Sequence, residues 1–151
     1  MASLNPRYTP FPVNFNLKET FMIVYLDGRI RHIQHDELQE YINKNLKDIT
    51  KYVKIMPDFS ATPIWSLHGN MDYSQLDLSK STVELMEIWS LWFDHSNPIT
   101  DELNEKYCTL AEFNMLGNLI FHGVARELPG YLVLYNNYLD KNMLTHQRVT
   151  V

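Results

Sequence analysis

The stretch "TFMIVYLDGRIRHIQ", residues 20–34, constrains the fold of this chain more than any other. Two runs of strand-forming residues flank Asp27-Gly28, a dipeptide that tolerates the positive φ required at both centres of a two-residue type I′ turn. A β-hairpin is expected. In that register Tyr25 faces Ile30 and Ile23 faces His32 on one side, while Val24 faces Arg31 and Met22 faces Ile33 on the other. The first arm is apolar on both faces and the second alternates, which suits an edge strand.

After the hairpin, "DELQEYINKNLKDITKYVKIM" places Leu38, Ile42, Leu46, Ile49, Val53 and Met56 at steps of three or four residues, the mark of an amphipathic helix. Asp36 with Gln39 resembles a capping box, Glu37 and Glu40 sit in the first turns, Lys51 and Lys54 in the last, and Pro57 ends the run. Residues 57–80 are punctuated by Pro57, Pro63 and Gly69, with a short strand expected at "IWSLH". "STVELMEIWSLWF" reads as a helix starting at a capping box of Ser81 and Glu84, apolar on much of its circumference and stopped by Asn97-Pro98. "TDELNEKYC" and "LAEFNMLGNLIFHGVARE" read as two further helices or one bent one, with Thr109 and Glu112 as an internal cap and Pro129-Gly130 as the stop. Gly117 and Gly123 would let another element approach closely. "YLVLYNNYLDKNMLTHQRVTV" is expected to close the fold with one or two strands.

Hairpin, helix, helices and strands in this order are α+β. The expected architecture is a single domain over residues 18–151, with the N-terminal hairpin followed by several helices packed on one face of a small, mostly antiparallel sheet. Residues 1–17, with Pro6, Pro10 and Pro12 and no periodicity, read as an extended arm anchored by Tyr8 and Phe11. At 151 residues and 45% hydrophobic, the chain can bury a core without covalent staples. It has one cysteine, Cys108, and no Asn-x-Ser/Thr sequon, which favours a reducing compartment. Its longest wholly apolar run, "FMIVYL", is too short to cross a bilayer, and the start lacks a basic-then-apolar leader. A soluble cytoplasmic protein with no membrane partner is expected.

Catalytic signatures are sparse. No Gly-x-Ser-x-Gly elbow, Gly-rich phosphate loop or His-Glu-x-x-His pattern occurs. His32 and His35 beside Asp36 have the side-chain chemistry of metal ligands, but positions three apart on a strand point to opposite faces, and a third ligand has no recognisable spacing. The bland reading, a hairpin-to-helix corner, outweighs a metal site there, and no cofactor is expected. Cys108 reads as a structural thiol, and Asp94-His95 as a helix end whose imidazolium suits the dipole.

Charge is divided unevenly. Residues 1–57 carry 8 basic and 6 acidic side chains, and residues 58–151 carry 5 basic and 12 acidic, so +2 and −7 sum to the chain's −5. Lys44, Lys47, Lys51 and Lys54 would form a basic stripe on the second element; with no arginine cluster beside it, nucleic acid is a poor partner. Glu84, Glu87, Glu102 and Glu105 offer the opposite charge.

These features favour a non-enzymatic interaction or assembly protein that associates with itself or with another protein. A viral or phage structural or accessory role suits the Asn- and Tyr-rich composition. The expected interface residues are Tyr8, Phe11, Lys47, Lys51, Trp89 and Trp92, since large aromatics dominate binding surfaces and charge orients partners. Two alternatives remain: a small metal-dependent enzyme ligated by His32 and His35, and an acidic inhibitor that mimics nucleic acid.

Overall fold

A computed structural model describes residues 20–100 and 102–135. The arm over residues 1–17 and the end of the chain beyond Tyr135 lie outside the described residues. Strands β1 (Thr20–Val24), β2 (Ile30–Gln34), β3 (Tyr52–Ile55), β4 (Ile64–Trp65) and β5 (Leu132–Tyr135) form one sheet in the order β2-β1-β5-β3-β4. Helices α1 (His35–Asn45), α2 (Lys80–Asp94) and α3 (Leu110–Glu127) complete the α+β fold. Three strand pairings are antiparallel, and the fourth, β3 with β5, is parallel.

The hairpin forms, and β2 is an outer strand as expected, but the register moves by one residue. Val24 pairs with Ile30 and Ile23 with Arg31. The cause is the turn. Gly28 takes φ +91° while Asp27 keeps a negative φ, so the type I′ geometry is not available. The Tyr25 amide donates to the Arg29 carbonyl and the Gly28 amide to the Tyr25 carbonyl, both at 2.8 Å, which makes a three-residue loop with a glycine bulge. Asp27 accepts from the Arg29 amide at 3.0 Å and from its Nε at 2.8 Å. A one-residue shift exchanges the faces.

The largest departure from expectation follows α1. The three-to-four spacing continues through Ile49, Val53 and Met56, yet the helix ends at Asn45 and Tyr52–Ile55 form a strand inside the sheet. All four of its residues are buried, with β4 on one side and β5 on the other. A short apolar run buried on both faces has no period-two alternation to betray it, and here the β-branched Val53 and Ile55 favour the strand. The helix also starts without the expected box: its N-cap is Gln34, and Asp36 accepts from the Glu37 amide instead.

Alternation along the strands sorts the core into two layers. Phe21, Ile23, Leu132 and Leu134 face α1 through Leu38 and Ile42. Val24, Val53, Ile55, Val133 and Tyr135 face α2 and α3 through Met86, Trp89, Phe93, Phe113, Ile120 and Val124. Thus α2 and α3 share one face of the sheet, and α1 covers the opposite one.

The pairing of α2 and α3 is fixed at both ends. At one end the Trp89 indole stacks on Phe113 with centroids 4.8 Å apart, and its Nε1 donates to the Phe113 carbonyl at 3.0 Å. At the other end Ser79, two residues before the expected Ser81, caps α2 by accepting from the Thr82 amide. The Glu127 carboxylate from the end of α3 accepts from the Ser79 amide and the Thr82 hydroxyl. A carboxylate there also complements the dipole of α2. The cap of α3 is the one legible in sequence, Thr109 and Glu112 exchanging both hydrogen bonds. "TDELNEKYC" is not helical where it is described, at Thr100 and over residues 102–108.

Candidate protein-docking surface

The structure places the two histidines of the corner in different surroundings. His35 opens α1, is 1% exposed and lies 6.2 Å from the Phe21 ring, while His32 is exposed on β2. Among the described residues no group of three or more His, Cys, Asp or Glu side chains gathers as metal ligands would. Asp94 does not orient His95: its Oδ1 accepts from the Ser60 amide at 2.8 Å, and the His95 ring stacks on Tyr107 at 4.0 Å. Cys108 is buried, and burial with the nearby Glu112 charge pushes its thiol up to about 11, opposite to the activation a nucleophile needs.

The expected interface residues scatter. Tyr8 and Phe11 lie outside the described residues. The basic stripe dissolves because its helix does: Lys44 is on α1, exposed Lys47 and Lys51 lie in the connection to β3, and Lys54 is buried at 1% inside β3. Lys51 instead sits over the Tyr131 ring, 5.7 Å from its centroid. Trp89 is 0% exposed and belongs to the domain's own core, and Trp92 is half-buried at the edge of that core.

Exposed apolar side chains concentrate elsewhere. Of seven exposed large hydrophobics among the described residues, six lie on α2, α3 or the segment joining them: Ile88, Leu91, Ile99, Tyr107, Met115 and Leu119. Their spacing is helical. Glu84, Ile88, Leu91 and His95 recur at four, three and four residues on α2, and Met115, Leu119, His122 and Arg126 recur in the same steps on α3. Every member of both rows is exposed. Half-buried Leu85 and Trp92 pack against the core beneath. The seventh, Ile30, lines a cleft of about 360 Å³ with Val24, Leu26, His122 and Arg126, at the end of the α3 row.

This surface was accessible to sequence reasoning only in part. The surplus of apolar residues on the tryptophan helix is visible in the sequence, but Trp89 and Trp92 are its largest members, and size favours burial. The smaller Ile88 and Leu91, and Met115 and Leu119 on α3, are the ones left in solvent. Exposed apolar side chains gathered on two packed helices suit an interaction site.

The same helices carry a surplus of negative charge. Exposed Glu84, Glu87, Asp94 and Glu112 stand against exposed Lys80 and Arg126. Lys80 lies 4.0 Å from Glu84, both side chains largely solvated, so that pair contributes little to stability. Joining the helices, exposed Glu102 and Glu105 face a single Lys106.

A family model described as Serratia CdiI immunity protein-like matches residues 51–138, more than half of the chain. The match runs from β3 through β5 and includes both α2 and α3. A comparison with curated proteins finds no match. The family is one of protein-binding proteins, so the interaction role expected from the sequence holds at that level, while the viral, structural and self-assembling readings find no support. No helix among the described residues is long and apolar enough to cross a membrane.

Proposed function

We propose that this chain, which belongs to the Serratia CdiI immunity protein-like family, binds a protein toxin and neutralises it inside the bacterial cell that makes both. The observation that carries this reading is the family match over β3 to β5. The structure is compatible with it: the exposed apolar face of α2 and α3 suits a binding protein.

Neutralisation by binding requires a complex that outlasts the toxin's encounter with its target, so complementarity and slow dissociation matter more than chemistry. Cells expressing the cognate toxin domain should stop growing, and co-expression of the chain should restore growth. Growth arrest that persists at equal expression of both proteins would reject the reading.

A further inference from the structure

Resting on the toxin-binding reading, we propose that the outer face of α2 and α3 is the docking surface, and that the toxin meets it with a cationic surface surrounding an apolar centre. The core does not need the residues involved. Met86, Trp89 and Phe93 on α2, and Phe113, Ile120 and Val124 on α3, are buried against the sheet and each other. Ile88 at 43%, Leu91 at 51%, Met115 at 59% and Leu119 at 55% exposure lie outside that packing. An isolated exposed leucine is ordinary, but two rows on two packed helices form a surface.

Charge selects the occupant. The apolar rows are bordered by Glu84 and Glu87 on α2 and Glu112 on α3, with Glu102 and Glu105 in the joining segment. Residues 58–151, which contain this whole surface, hold 12 acidic and 5 basic side chains. A second copy docking through the same face would bring together two surfaces with the same surplus of carboxylates. Like-charge juxtaposition disfavours that arrangement, and a basic partner gains from the same groups. The apolar residues would supply most of the affinity and the carboxylates the encounter rate and orientation.

The test is the affinity of the full chain for its cognate toxin domain, measured by interferometry over a range of sodium chloride concentrations. The Glu84→Lys/Glu87→Lys variant is expected to bind at least about tenfold more weakly, chiefly through slower association, and to lose part of the salt dependence. The Met115→Ser/Leu119→Ser variant is expected to dissociate at least about tenfold faster with its salt dependence retained. Glu37→Lys/Glu40→Lys, on α1 across the sheet, is the control and should bind as the unmodified chain does. All these positions are exposed, so thermal unfolding should stay within a few degrees.

If the unmodified chain binds and both helix variants bind equally well, the docking surface is rejected and the toxin-binding reading stands. If the unmodified chain does not bind, both fall together. Light scattering that shows a dimer dispersed by Met115→Ser/Leu119→Ser would assign the face to a second copy and overturn the cationic occupant.

Discussion

Gly117 on α3 faces the phenol of Tyr135 on β5 so closely that no side chain fits between them. A Cβ at position 117 would fall on the Tyr135 hydroxyl, 2.9 Å from its Cζ and 3.1 Å from Cζ2 of Trp89. This contact joins the helix layer to the sheet at the centre of the larger core. Gly117→Ala gains helix propensity of about 1 kcal/mol. Overpacking against two rigid rings costs about 1 to 3 kcal/mol and outweighs it. Urea unfolding should show a lower midpoint for Gly117→Ala, and an unchanged or higher midpoint would contradict the contact.

Glu127 ties the end of α3 to the start of α2. Burial pushes its carboxyl up, but hydrogen bonds from Thr82 and Ser79 outweigh it and hold the group below its ordinary value. Glu127→Ala should cost about 1 to 2 kcal/mol, the usual loss of a cap and its hydrogen bonds. A lowered folded-state value contributes stability above the unfolded carboxyl value near 4.5, and that contribution disappears as pH falls through the folded value. The gap in melting temperature between the unmodified chain and Glu127→Ala should therefore be largest at neutral pH and narrow in acid.

Tyr52 and Cys108 both contribute to the alkaline limb, and burial raises the phenol of Tyr73 as well. Tyr52 is buried with its hydroxyl unpartnered among the described residues, and burial raises its phenol well above its ordinary value. The Cys108 thiol is pushed up to about 11 by burial and Glu112. Raised values mean that the folded chain keeps protons the unfolded chain releases. The stability they carry is present below the unfolded values, near 9 for the thiol and 10 for the phenol, and is lost as pH rises through the folded ones. Tyr52→Phe should leave neutral stability unchanged or raise it by up to about 1 kcal/mol, since an unsatisfied buried hydroxyl is removed. It should also flatten the fall in urea midpoint between pH 8 and 10.5. A disulfide reagent should label Cys108 slowly in the folded chain at pH 8 and rapidly in urea.

What could be read from the sequence follows from which signals were local. Thr109 with Glu112 announced α3 because both halves of a capping box lie within one turn, and Gly28 announced a hairpin because positive φ is a single-residue property. The turn's length was not legible: Asp27-Gly28 permits a two-residue loop, and only Asp27's negative φ and its bonds to Arg29 select three. The strand at Tyr52–Ile55 was hidden because its burial on both faces comes from β4 and β5, distant in sequence, while its spacing continued the rhythm of α1. The docking face was half visible. An apolar surplus on α2 showed in the sequence, but which members reach solvent depends on how α2 packs against α3, and that is set by Trp89 on Phe113 and by Glu127 on Ser79 and Thr82.

The most direct test of toxin binding is calorimetric titration of the purified cognate toxin domain with the full chain. A one-to-one complex with a dissociation constant of about 100 nM or tighter is expected, as for a specific interface of standard size. No binding heat at two temperatures with both proteins at tens of micromolar, and no co-elution on size exclusion, would contradict it.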